Sequence, residues 1–122
     1  ETGSVRAFFH LAAAGACSLV TSAYALEEAR RNIALKHPAS LGDLEKLVQA
    51  IEVCGEPSPA TIAWAQAAGL PPKDAPILAT AVEARCHILA TGDRSDFGPL
   101  LGKRLRRTLV MLPAEAIGLL LD

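Results

Sequence analysis

Aromatic residues are scarce in this sequence, at 4% of 122 residues, and Trp64 is the single tryptophan. Because 51% of the residues are nonetheless hydrophobic, a core must be built mainly from Ala, Leu, Val and Ile. Such side chains suit helices packed on a buried sheet. The length fits one compact domain, so we expect residues 1–122 to form a single α/β domain.

Excess charge and long apolar runs are also missing. A formal net charge of -1 gives no global attraction to nucleic acid or to an anionic membrane, so any such contact needs a local patch. Charged residues interrupt every apolar segment before it reaches the roughly 20 residues that a membrane span requires. We therefore expect a soluble protein with no membrane partner.

Cysteine is the third scarce type. Cys17, Cys54 and Cys86 are odd in number, far apart and in apolar surroundings, which fits reduced thiols in the cytoplasm. The spacing contains neither a zinc knuckle nor a redox CxxC motif. The first four residues have none of the basic or apolar character of a signal peptide, so we expect a cytoplasmic location.

Short apolar runs alternate with stretches of helical periodicity along the chain. We predict strands at residues 16–21, 51–54, 87–91 and 108–112, and helices at residues 4–14, 22–36, 58–68, from 40 to about 51, from 74 to about 82 and from 113 onward. This alternation is typical of βαβ units, with a parallel sheet and helices on both faces.

Acidic residues stand at the ends of these predicted elements. Asp93 follows the strand that ends at Thr91, and Gly92 lets the backbone turn sharply between them. Asp74 begins a predicted helix, and Glu28 lies within the helix after the first predicted strand. Ligands of open parallel sheets bind outside the carboxyl ends of the strands, so we expect these three side chains at one edge.

Each acidic residue also has a purely structural interpretation. Asp74 is a good N-cap, and Asp93 suits an ordinary turn. Glu28 stands near Glu27 and Arg31, as on a solvated helix face. Together, however, they point to a hard metal ion, because clustered carboxylates repel and bound Mg²⁺ or Mn²⁺ relieves that repulsion. Such an ion can activate water against a phosphodiester, which is nuclease or phosphatase chemistry.

The motif KDAPILATA at residues 73–81, with TGD at residues 91–93, DF at residues 96–97 and MLPAE at residues 111–115, resembles the C-terminal half of a PIN-domain protein. It is most similar to bacterial toxin components of toxin–antitoxin pairs, the VapC-like ribonucleases. A second stretch also resembles the family, in the segment that carries its second acidic residue: Val20, Thr21, Ser22, Leu26 and Glu28. The resemblance implies a PIN-like α/β/α sandwich with a mainly parallel central sheet flanked by helices.

The resemblance also implies a function, which is metal-dependent endoribonuclease activity with Mg²⁺ or Mn²⁺ as cofactor. Asp74 and Asp93 would be metal ligands, and Glu28 a ligand or a water-orienting residue. Asp96 would be an auxiliary ligand, and Thr91 would position a ligand or water through its hydroxyl. RNA as substrate, a cognate antitoxin and a homodimer are the implied partners.

The front of the sequence departs from the family pattern, which begins with a strand that ends in Asp. This sequence begins after that strand, which leaves three explanations: a segment outside the sequence, a truncated gene product, or a fragment stabilised by another chain. We favour the first, because the helix expected at residues 4–14 presents Phe8 and Phe9 to a core that needs the strand. The absence of that Asp would permit a catalytically inactive PIN-like domain that binds RNA or a protein, and this is the alternative to the nuclease.

Basic residues offer a place for the RNA backbone. Arg94 lies beside Asp93 and is expected either to contact the scissile phosphate or to neutralise Asp93. The densest basic cluster is expected near the acidic edge, where it would contact phosphates, or else forms a solvated connection. It consists of Lys103, Arg104, Arg106 and Arg107. Trp64 is expected to pack within the protein rather than stack on bases.

Overall fold

The computed structural model describes residues 7, 10–15, 17–49 and 51–121, apart from the side chains of Tyr24, Glu28, Asp43 and Leu47. The elements follow in this order: β1 (Leu19–Ser22), α1 (Ala23–Lys36), a 3₁₀ turn (Pro38–Ser40), α2 (Leu41–Val48), β2 (Ile51–Cys54), α3 (Pro59–Ala67), α4 (Ala75–Glu83), β3 (Ile88–Ala90), a second 3₁₀ turn (Gly98–Leu100), β4 (Arg104–Leu105), β5 (Thr108–Met111) and α5 (Pro113–Leu121).

The α/β class is confirmed, and most predicted elements are present with shifted ends. The first strand is Leu19–Ser22 rather than residues 16–21, and the helix predicted from 40 to about 51 ends at Val48. Ser22 caps α1 by accepting a hydrogen bond from the Ala25 N–H at 3.0 Å. The strand at residues 51–54 is confirmed at both ends. Of the helix predicted at residues 4–14, residues 7 and 10–13 are helical, while Phe8 and Phe9 lie outside the described residues. The short strand β4 was not predicted.

The described strands form two sheets rather than one continuous sheet. β1 and β2 pair in parallel, and a second sheet has the order β3-β5-β4. In that sheet β3 is parallel to β5, whereas β4 is antiparallel to it. The antiparallel pair arises because two residues alone connect β4 to β5, and a parallel pair needs a much longer crossover. Helix α4 contacts both β1 and β3 and so joins the two sheets.

A cluster of buried side chains lies between α3, α4 and the second sheet. Leu78, Phe97 and Val110 are its fully buried large members, at 0%, 1% and 0% exposure. Phe97 does not belong to a helix or strand but follows β3 in a loop, so its burial fixes that loop against the core. The whole cluster consists of Ala65, Leu70, Ala75, Leu78, Phe97, Leu100 and Val110.

Helices α3 and α4 form an antiparallel hairpin that sets the start of α4. The Ser58 hydroxyl, at the beginning of α3, donates to Glu83 Oε2 at the end of α4 over 2.7 Å. Gly69 ends α3 with a φ of 117°, and the N–H of Leu70 reaches back to the carbonyl of Ala65. This is the Schellman arrangement, in which a glycine supplies the left-handed conformation and the following apolar residue is buried.

The β4–β5 hairpin turns through two arginines with left-handed backbone. Arg106 has a φ of 47° and Arg107 a φ of 79°. Two-residue hairpins need positive φ at both positions, because that backbone follows the twist of the strands, and they prefer Asn and Gly. Side chains with a Cβ are strained there by about 1–2 kcal/mol per residue. The turn is therefore formed at a local energetic cost.

Arg107→Gly should therefore stabilise the protein, by about 0.5–1 kcal/mol, because glycine relieves the strain but loses more chain entropy on folding. Thermal or urea unfolding measures the change. Arg104→Gly is the control: Arg104 lies in extended strand and its guanidinium donates to the Arg107 carbonyl, so glycine at this position should destabilise. An unchanged or lower stability of Arg107→Gly would contradict this account of the turn.

Among the residues that the structure describes, no helix has both the length and the apolar character required to cross a membrane.

Candidate metal centre

Asp74 is a buried carboxylate at the start of α4. The residue is 7% exposed and occupies the N-cap position, but its side chain makes no capping hydrogen bond. The backbone at Asp74 is already helical, with a φ of -103° and a ψ of -21°, which is not the extended conformation of a capping residue. The capping interpretation therefore does not explain why an acidic residue is buried here.

Asp93 follows β3 and organises the loop that carries it. Its Oδ1 accepts the N–H groups of Ser95 at 3.0 Å and Asp96 at 2.9 Å. Its own N–H donates to the Thr91 hydroxyl oxygen over 3.1 Å, and its carbonyl accepts from the N–H of Phe97. The structure therefore supports a turn role for Asp93. These hydrogen bonds, however, engage only one of its two carboxylate oxygens.

These elements bring three carboxyl groups together. Asp74, Asp93 and Asp96 each offer an oxygen, and the three oxygens lie within 4.8 Å of one another. Asp74 lies at the start of α4, and Asp93 and Asp96 lie in the loop after β3. The structure thus places Asp74 and Asp93 at a common edge, as the topology argument expects, and Asp96 lies as close as either of them. Three like charges at this separation repel one another.

Lys73 also lies on this cluster, and it is not among the site residues that the sequence predicts. Its Nζ is 2.8 Å from Asp74 Oδ2 and 2.6 Å from Asp96 Oδ2. Hydrogen bonds to these two carboxylates raise the pKa of Lys73 above its usual range, and the Lys73 ammonium lowers the pKa of Asp96. The signal in the sequence was a cation directly before Asp74, although a Lys–Asp pair alone is too common to indicate a site.

The cluster fits a hard divalent cation. All three groups offer carboxylate oxygen, the ligand type that Mg²⁺ and Mn²⁺ prefer. A cation already bridges two of them in the form of the Lys73 ammonium. Glu28 lies in α1, and its side chain is outside the described part of the structure. Its role as a ligand therefore stays a prediction.

A family model described as the PIN domain matches residues 1–95. The chain belongs to the PIN-domain family. Proteins of this family are generally metal-dependent nucleases, which agrees with a carboxylate cluster suited to a divalent ion. The matched segment includes Asp74 and Asp93 and ends one residue before Asp96. No curated protein and no solved structure is significantly similar to the chain.

The basic cluster of this PIN domain does not lie wholly at the acidic edge. Arg106 and Arg107 form the turn before β5, and β5 runs parallel to β3, so this turn lies at the end of the sheet opposite Asp93. The expectation that all four basic residues lie near the acidic edge is wrong for these two, because β4 carries the chain away from that edge. It is wrong for Arg104 as well, because Arg104 pairs with Leu109, which lies level with Ile88 at the start of β3. The carbonyl of Lys103 accepts a hydrogen bond from the N–H of Val110, so Lys103 lies further toward the carboxyl end of β5.

Trp64 packs against the core as expected, and its exposed side meets an arginine. The guanidinium of Arg106 lies 4.2 Å from the centre of the indole ring, in a cation–π contact. This contact supports the strained turn and engages one face of the ring. Arg94 is exposed beside Asp93, and Lys103, Arg104 and Arg107 are exposed as well.

Proposed function

We propose that this PIN domain is an endoribonuclease that hydrolyses phosphodiester bonds with Mg²⁺ or Mn²⁺. The observation that carries the proposal is the convergence of three carboxylates, from α4 and from the loop after β3, within 4.8 Å. Family membership supports nuclease chemistry in general. RNA rather than DNA as the substrate rests on the resemblance of the motif at residues 73–81 to ribonuclease toxins.

Asp74 and Asp93 are the proposed ligands, with Asp96 and Glu28 as further ligands or water-orienting groups. Burial of Asp74 fixes one oxygen donor, and the hydrogen bonds to Asp93 Oδ1 fix the second. Thr91 orients the Asp93 backbone through its hydroxyl oxygen. When bound, the ion supplies an activated water and neutralises negative charge that develops on the phosphate.

Exposed basic residues are the proposed contacts to the RNA backbone, because phosphates bind arginine and lysine without regard to base sequence. Arg94 is adjacent to Asp93 and is assigned to the phosphate nearest the metal centre. Lys103 is the next proposed contact. Arg104, Arg106 and Arg107 lie toward the opposite end of the sheet and would bind RNA only if the RNA strand extended around the sheet to that end.

The biological setting is proposed on the sequence resemblance alone. We assign the protein as the toxin component of a toxin–antitoxin pair, acting in the cytoplasm as a homodimer and held inactive by a cognate antitoxin.

Cleavage of single-stranded RNA tests this function. The protein should cleave a labelled RNA with Mn²⁺, and excess chelator should stop the reaction, because the carboxylates alone supply no cation to the phosphate. Re-addition of Mn²⁺ should restore cleavage, which separates metal removal from irreversible damage. RNA that binds but is not cleaved with either metal would contradict the nuclease and favour the inactive RNA-binding domain.

A further inference from the structure

We propose that Lys73 is a built-in counter-ion that competes with the divalent metal for Asp74 and Asp96 and must leave them when the metal binds. The proposal rests on the proposed metal centre and adds a residue that regulates its occupancy. In this role Lys73 is neither a metal ligand nor a reacting group; it controls when the metal can occupy the carboxylate cluster.

The ammonium of Lys73 bridges two parts of the fold. It donates to Asp74 Oδ2 over 2.8 Å at the start of α4, and to Asp96 Oδ2 over 2.6 Å in the loop after β3. These are two of the three carboxylates that converge within 4.8 Å. Charge-assisted hydrogen bonds of this length are stronger than neutral ones. Lys73 therefore ties together the two segments from which the site is built.

The charge balance explains why a cation is needed even without metal. Three carboxylates this close repel one another, and Asp74 is largely removed from water, which increases the cost of leaving it unpaired. One ammonium offsets part of that negative charge. It therefore allows the cluster to persist in its assembled geometry before a divalent ion arrives.

The same contacts make Lys73 and the metal mutually exclusive. Lys73 donates to one oxygen of Asp74 and to one of Asp96. A divalent ion drawn to the same two carboxylates would lie close to the ammonium, and two neighbouring cations repel one another. The Lys73 side chain is 66% exposed, so it can move into water without disturbing the packed core. Metal binding thus requires an exchange of cations rather than the filling of a bare cluster.

Removal of the lysine charge should therefore strengthen metal binding. Lys73→Gln should bind Mn²⁺ about tenfold more tightly in calorimetry, a change typical of losing one charge-assisted contact that opposes binding. In chelator, the same variant should melt at a lower temperature than the wild type, because the carboxylates then lack a counter-ion. Added Mn²⁺ should raise its melting temperature by more than it raises that of the wild type.

Two further variants separate charge from other effects. Lys73→Arg keeps the positive charge and should retain a Mn²⁺ affinity close to that of the wild type. Lys46→Gln removes an exposed lysine from α2 and should also leave the affinity unchanged. A Lys73→Gln protein that binds Mn²⁺ no more tightly than the wild type, or more weakly, overturns the proposal.

A second measurement requires no substitution. The Cε signal of Lys73 in an NMR spectrum of the wild type should shift toward that of a solvated lysine as Mg²⁺ saturates the site. An unchanged signal at saturation overturns the exchange, while the metal centre itself stands. If neither the wild type nor Lys73→Gln binds Mn²⁺, the metal centre and the exchange both fail; if only Lys73→Gln binds, the lysine blocks the site and the proposal holds.

Discussion

Asp93→Asn should lower metal-dependent RNA cleavage by about 100-fold or more while the protein stays folded, because loss of a charged ligand removes several kcal/mol of stabilisation from the reaction. Asparagine keeps an Oδ1 that can still accept from the N–H groups of Ser95 and Asp96. The second oxygen becomes an NH₂ group, which cannot bind a cation. The substitution therefore separates the turn from the metal site.

Asp93→Ala provides the comparison for this experiment. Alanine offers no acceptor, so two backbone N–H groups lose their partner, and stability should fall by about 1–2 kcal/mol in addition to the loss of cleavage. Cleavage rates and unfolding midpoints of both variants, measured with the wild type, distinguish the two roles. Asp93→Asn that cleaves RNA at the wild-type rate would show that Asp93 is a turn residue only.

Phe97→Ala should destabilise the protein by about 3–5 kcal/mol, because truncation of a buried aromatic leaves a cavity. Phe97 is 1% exposed and packs in the cluster with Leu78 and Val110. The free energy of unfolding of a domain is about 5–15 kcal/mol, so this is a large fraction of the total. A fall of the melting temperature by about 10–20 °C is expected. Urea unfolding gives the free energy directly.

The same variant should also weaken Mn²⁺ binding, since Phe97 fixes the loop that carries Asp93 and Asp96. Leu121→Ala is the control: Leu121 is 70% exposed, and its truncation should change stability by less than about 0.5 kcal/mol. A loss of less than about 1 kcal/mol in Phe97→Ala would contradict the assignment of Phe97 as the anchor of the loop.

Local signals in the sequence located most of the elements and two members of the acidic cluster. Ser22 and the Ser58–Pro59 pair marked helix starts because a capping hydroxyl and a ring-fixed φ act within one turn of backbone. Asp93 stood directly after an apolar strand, and this position alone places its carboxyl at the strand's carboxyl end. These features are visible in sequence because each depends on neighbouring residues only.

Contacts between segments that are distant in the chain could not be predicted from such local signals. The Lys73 contact to Asp96 crosses from the start of α4 to the loop after β3, so no local pattern could reveal it. The turn of Arg106 and Arg107 carries no Gly or Asn, and the short strand β4 is too brief for alternation to show. Because the sequence does not predict this hairpin, it wrongly places the two arginines at the acidic edge.

The sequence by itself determined an α/β chain, the starts of its helices and an acidic residue after β3, because capping, periodicity and turn preferences act over a few neighbouring residues. The resemblance named Asp96 as an auxiliary ligand, but only the tertiary structure decided that it lies as close as Asp74 and Asp93 do to each other, that Lys73 bridges the cluster, and that the arginine turn lies at the opposite end of the sheet. Those relations depend on how Phe97 and its partners pack and on strand direction, which bring together residues far apart in the chain.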